Sequence, residues 1–134
     1  MALIVLDASV LIAHLDREDV LHAGAEAALK AHAADDLVLP ASAYAAALVV
    51  PAAHDRLAEI RAKVHSLAIR IEPLSAEIAE RAAGIRARHR SLRLPDALVI
   101  ATGDALAADE ILSGDRRWQG VSARIRLLAQ TPAG

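Results

Sequence analysis

Three aspartates stand where a carboxylate can do chemistry. Asp7 directly follows the apolar run "ALIVL", Asp96 follows Pro95 in "RLPDALVIATGDALAA", and Asp115 closes "EILSGD". Each has an ordinary structural use, because Asp is favoured at helix starts, where its side chain caps free N–H groups and suits the helix dipole. Taken singly, each is best read as a cap. If their loops meet at one edge of a sheet, the balance changes. Two carboxylates about 5 Å apart repel by roughly 3 kcal/mol at an effective dielectric near 20. A cluster of three then persists only when a proton or a cation neutralises it. Oxygen donors without His or Cys select a hard ion, Mg2+ or Mn2+, and such an ion in an acidic cleft suits phosphodiester hydrolysis.

Arginines flank two of these acids. Arg86, Arg88, Arg90 and Arg93 precede Asp96, while Arg116 and Arg117 follow Asp115. The guanidinium fork grips phosphates bidentately, but the first group reads better as a solvated helix end whose charge complements the dipole. Arg116 and Arg117 are better placed for a substrate phosphate, with Asp104 or Asp109 as alternative partners. Trp118 is the single Trp; packing is the favoured reading over stacking on a base. Competing chemistries lack their residues. The six histidines form no HExxH pattern and no Gly-rich phosphate loop is present. A phosphatase of the haloacid dehalogenase kind, with Asp7 as nucleophile, needs a second acid at position 9, which is Ser.

The elements that must carry these residues follow from apolar patterning. "ALIVL" (2–6) is a continuous apolar run, as in a strand buried on both faces; "SVLIAHL" then turns helical. Asp19 reads as the N-cap of a second helix, with Val20, Ala25, Ala28, Leu29 and His32 on its inner side. "DLVLP" (36–40) is a second strand. A helix from about Ser42 breaks at Pro51 and resumes to about Leu67, with Glu59 and Lys63 as an i,i+4 pair. "AIRIEPL" (68–74) is a third strand, and Ser75 caps the helix that follows. Pro95 suits the first turn of the helix bearing Asp96. "EILSGD" (110–115) and "ARIRLL" (123–128) complete the strands. Strands alternating with helices imply an α/β fold with a parallel sheet covered on both faces, whose ligands bind beyond the strands' carboxyl ends.

The totals set the frame. A chain of 134 residues, 55% hydrophobic and 24% charged, suits one packed domain. We expect that domain over 1–130 and a short frayed tail over 131–134. Net charge is −2, so no overall basic field marks a nucleic-acid binder, although a local Arg patch remains open. With no Cys, disulfides and thiolate metal sites are excluded. No signal-peptide pattern and no run of roughly 18 apolar residues is present, so a soluble, cytoplasmic protein without a membrane partner is expected.

"IVLDASVLIAHL", "LPDALVIATG" and "ILSGDRRW", in this order across essentially the whole chain, resemble a PIN domain, specifically the VapC-type toxins of bacterial type II toxin–antitoxin systems. The resemblance implies a three-layer α/β/α sandwich around a central, mostly parallel sheet. It also implies a Mg2+- or Mn2+-dependent ribonuclease acting on RNA, a homodimer, and a VapB-type antitoxin that blocks the acidic cleft. Carried over by position, Asp7, Asp96 and Asp115 become the metal-binding, catalytic acids, with Ser9 and Ser113 steadying the site. Arg93, Arg116 and Arg117 become candidate RNA contacts. The family also has a Glu four residues beyond a Ser or Thr near the start of the helix after strand two. Counting from Ser42 lands on Ala46, so one carboxylate is absent and this form is expected to be impaired. A deliberate Glu→Ala replacement and a natural loss both account for it; the first is favoured because the other positions match. The alternative function is a catalytically inactive module that sequesters an antitoxin or RNA.

Overall fold

The computed structural model describes residues 1–130; the expected tail, 131–134, lies outside the described residues. The strands are β1 (Leu3–Leu6), β2 (Asp36–Pro40), β3 (Ile69–Glu72), β4 (Glu110–Ser113) and β5 (Ile125–Leu127). They form one sheet in the order β3-β2-β1-β4-β5, every neighbouring pair parallel. The helices are α1 (Ala8–Leu15), α2 (His22–Ala31), α3 (Ala41–Ala53), α4 (Leu57–Ser66), α5 (Ala76–Arg88) and α6 (Leu94–Ala105). From β1 the chain moves outward to β3, then returns past β1 to β4. With right-handed crossovers this puts α1 to α4 on one face and α5 and α6 on the other. The result is the expected α/β/α sandwich. α1 packs on β4 and α3 on β2 and β3, while α6 packs on β1, β2 and β4.

Burial explains the strand sequences. Ile4, Val5 and Leu6 of β1 and Ile111 and Leu112 of β4 are buried, as central parallel strands covered by helices must be. Small residues let α6 approach them: Ala97 and Ala101 are fully buried, and Gly103 lies so close to β4 that an added Cβ would collide with Cγ1 and Cδ1 of Ile111. Asp96 lies two turns before Gly103, so this close contact also fixes where Asp96 emerges. The connections leaving β1 and β4 depart toward opposite faces, so a crevice opens beyond their carboxyl ends.

Several local expectations are corrected. α2 begins at His22, and Asp19 instead accepts the N–H of Leu21 (2.8 Å) in the preceding turn, where Val20 is exposed. α3 runs through Pro51 to Ala53; the break comes at Asp55, whose φ of 54° is left-handed. Pro51 forfeits the N–H bond it would make to residue 47, yet the helix carries on past it for two residues. Glu59 pairs with Arg56 (2.9 Å) rather than Lys63, the Arg fork gripping both of its oxygens. Ser75 caps α5 as expected, accepting the N–H of Ile78 (3.1 Å), and Glu77 pairs with Arg81. Among the described residues no helix is long and apolar enough to cross a membrane.

Candidate active site

Asp7 leaves β1 in an extended conformation and its N–H donates to the carbonyl of Leu112 on β4 (2.9 Å). Its side chain makes no helix cap. Instead Oδ2 accepts two hydroxyls, Ser9 Oγ (2.8 Å) and Ser113 Oγ (3.0 Å). Each hydroxyl is held in turn by a backbone N–H: Gly114 donates to Ser9 Oγ (2.9 Å) and Asp115 to Ser113 Oγ (3.0 Å). The ends of β1 and β4 are therefore stitched together through one carboxylate oxygen, and Oδ1 is not committed by these bonds. Burial pushes the Asp7 carboxyl above its usual range. The bonds from Ser9 and Ser113 oppose that shift, and the charge of Asp96 adds to it.

Asp96 and Asp115 each accept a backbone N–H at the start of a helical turn. Asp96, in the first turn of α6, accepts the N–H of Arg93 (3.1 Å). Asp115 accepts the N–H of Arg117 (3.0 Å) at the start of a single 3-10 turn, Arg116–Trp118. Both side chains are mostly covered, at 13% and 22% exposure. The guanidinium of Arg117 also grips Asp115, Nε lying 3.0 and 3.2 Å from the two oxygens and a terminal nitrogen 2.5 Å from Oδ2. The same nitrogen is 4.0 Å from Asp96 Oδ2. This grip, with help from the charge of Arg93, holds the Asp115 carboxyl below the usual carboxylate range and strengthens the hold of Arg117 on its proton.

All three acids line one cleft of about 250 Å3, together with Ser9, Ser42, Ala46 and Arg93. Ser42 and Ala46 lie one turn apart on the same side of α3, so position 46 does face the acids from the opposite helical layer. An alanine there leaves that wall without charge. Among the described residues, no three His, Asp or Glu side chains come close enough as they stand to enclose a metal ion. Asp115 is turned toward Arg117 instead.

The remaining candidates fall into place by burial and pairing. Of the arginines ahead of Asp96, Arg93 lines the cleft while Arg86, Arg88 and Arg90 are exposed elsewhere on the surface. Arg116 is exposed beside the cleft. Arg117 does not pair with Asp104 or Asp109: Asp104 meets Arg124 (3.4 Å), and Asp109 accepts the N–H of Leu3 (2.8 Å). Trp118 is fully buried, so base stacking is closed to it and it anchors the 3-10 turn. His14 contacts Glu26, and His32 bridges Asp35 (2.8 Å) and Glu110 (3.2 Å) at the far end of the sheet. Sequence reasoning overlooked the Arg117 bridge to Asp96, for which the adjacency of Asp115 and Arg117 was half the signal.

Residues 4–123 match the PIN domain family. The chain belongs to it. No curated protein matches this PIN domain. Among solved structures it is similar to a toxin–antitoxin complex from Klebsiella pneumoniae, at 20% identity and a TM-score of 0.78, covering 94% of this chain and 98% of the other. It is similar to VapC20 of Mycobacterium tuberculosis, described as a Sarcin-Ricin loop cleaving toxin, at 19% identity and 0.71, covering 87% and 95%. It is also similar to VapBC2 from Rickettsia felis bound to a DNA fragment from their promoter, at 10% identity and 0.76, covering 95% and 99%. At these identities the likeness is one of fold.

Two observations bear on whether this PIN domain suits a divalent ion. The donors are all oxygen, the set a hard ion selects. A cation, the Arg117 guanidinium, already lies against two of the three acids. The acids of the cleft thus offer the kind of donor that a hard divalent ion takes, two of them with a guanidinium alongside.

Proposed function

We propose that this PIN domain, a single unit over 1–130, is the ribonuclease toxin of a VapB–VapC-type toxin–antitoxin pair, dependent on Mg2+ or Mn2+ and impaired by Ala46. The observation that carries the reading is the convergence of Asp7, Asp96 and Asp115 on one cleft at the switch point between β1 and β4. The names of the similar structures, one a toxin–antitoxin complex, one a Sarcin-Ricin loop cleaving toxin and one VapBC2, support it. Asp7, Asp96 and Asp115 would hold the ion. When bound, it would supply an activated water and stabilise charge developing on the phosphate. Ser9 and Ser113 orient Asp7 through Oδ2 and keep its other oxygen available. Arg93, which lines the cleft, and Arg116 would grip backbone phosphates, as would Arg117 once it leaves Asp115. Single-stranded or looped RNA, which exposes its backbone and bases, is the proposed substrate. A homodimer in the cytoplasm, silenced by a VapB-type antitoxin covering the acids, completes the proposal.

The second reading, a catalytically inactive module that sequesters antitoxin or RNA, is favoured by Ala46 and by the paired state of Asp115. One experiment separates them: RNA cleavage with Mn2+, before and after Ala46→Glu, with Asp7→Asn as control. Cleavage that appears or rises with the restored acid, and is lost with chelator or Asp7→Asn, supports the nuclease. No cleavage in either form alongside intact partner binding supports the module.

A further inference from the structure

Arg117 is tied to the acidic cleft more firmly than a phosphate-gripping residue needs to be. Its backbone N–H and its side chain both bond Asp115, and its far nitrogen reaches toward Asp96 on a different element. The guanidinium thus straddles the ends of β4 and α6, where a cation shared by these acids would have to lie. The backbone beneath it is fixed, because Trp118 of the same 3-10 turn is fully buried. The side chain is half exposed, and so partly solvated pairs of this kind contribute little net stability. A fixed base and a releasable head make a displaceable group.

We propose that Arg117 is a resident counter-ion of the acidic cleft, which a divalent ion must displace, so that this side chain sets the ion affinity of the site. The inference rests on the cleft being a divalent-ion site, as proposed above. Arg117 now bonds both oxygens of Asp115, so an ion taking those oxygens competes with the guanidinium and its entry favours guanidinium release. With Arg117 in place, Asp115 and Asp96 face a cation without any ion. With it swung outward, the three carboxylates repel and the affinity for an ion rises.

The test is Mn2+ binding, measured from the free-ion electron paramagnetic resonance signal, for the unaltered chain, Arg117→Gln, Asp96→Asn and Ala46→Glu, each checked for fold by circular dichroism. Removing the competing charge is expected to tighten Mn2+ about tenfold in Arg117→Gln, and Asp96→Asn to weaken it. In the unaltered chain the Arg117 Nε–H resonance, assigned by its loss in Arg117→Gln, is expected to move along the same Mg2+ titration curve as the site fills. Equal or weaker Mn2+ binding in Arg117→Gln, or an unmoved resonance while the ion binds, overturns the inference and leaves the ion site standing. Absence of saturable binding in every form, Ala46→Glu included, overturns the ion site itself and the inference with it.

Discussion

Replacing Ser113 by Ala probes the stitch between β1 and β4. Ser113 is fully buried, and its hydroxyl donates to Asp7 Oδ2 (3.0 Å) while accepting the N–H of Asp115 (3.0 Å). Truncation removes a bond to an ionised acceptor, worth about 1.5–3 kcal/mol, and a neutral bond worth about 0.5–1.5 kcal/mol, so the expected loss is about 2–4 kcal/mol at neutral pH. Urea unfolding followed by the fluorescence of Trp118, the chain's single Trp, reads this as a lower midpoint at unchanged slope. The charge-assisted part disappears once Asp7 is protonated, so the loss should shrink in acid, and sooner than an ordinary Asp would allow because burial raises the Asp7 carboxyl. Ser9→Ala should cost less, since Ser9 is only partly buried and water can replace its hydroxyl. A loss for Ser113→Ala below about 0.5 kcal/mol, or one that is the same in acid and at neutral pH, would refute the claim that this hydroxyl stabilises a charged Asp7.

Asp7→Asn should stabilise the chain at neutral pH while abolishing RNA cleavage even in an Ala46→Glu background. The raised Asp7 carboxyl binds its proton more tightly folded than unfolded, so its contribution to stability is greatest in acid and falls as pH rises from the ordinary carboxylate range through the raised value. The difference between thermal midpoints of the unaltered chain and Asp7→Asn, followed from acid to neutral pH, isolates this effect from Asp115. The latter works in the opposite sense, because its lowered carboxyl gives stability that is lost as pH falls through its value. Gly103→Ala should destabilise by about 1–3 kcal/mol, because the new methyl meets Ile111; an unchanged urea midpoint would mean α6 can lift off β4 without penalty.

Much of the architecture could be read from residues in order. Runs such as "LIVL" and "DLVLP" are apolar without alternation because both faces of a central parallel strand are covered, and β2 falls on the residues expected. The acids follow those runs because polar groups resume where strands leave the core. The step from Ser42 to position 46 is one helical turn, so the uncharged wall of the cleft could be located by counting. Local caps were less legible. Asp19 bonds within its own turn, and Glu59 takes the fork of Arg56 over Lys63, because several partners lie within reach of each side chain and spacing alone does not rank them.

Residue order and side-chain chemistry settle the layers of this protein, which follow from local periodicity and from the handedness of parallel crossovers, while the gap at Ala46 is visible only against the pattern of the PIN family. The charge balance inside the cleft was settled elsewhere. Asp7 takes its hydroxyls from Ser9 and Ser113, 106 residues apart from it in the second case, and Arg117 spans two elements to meet Asp96. Such contacts have no sequence period. They exist because the sheet order β3-β2-β1-β4-β5 brings the ends of β1 and β4 side by side and α6 above them.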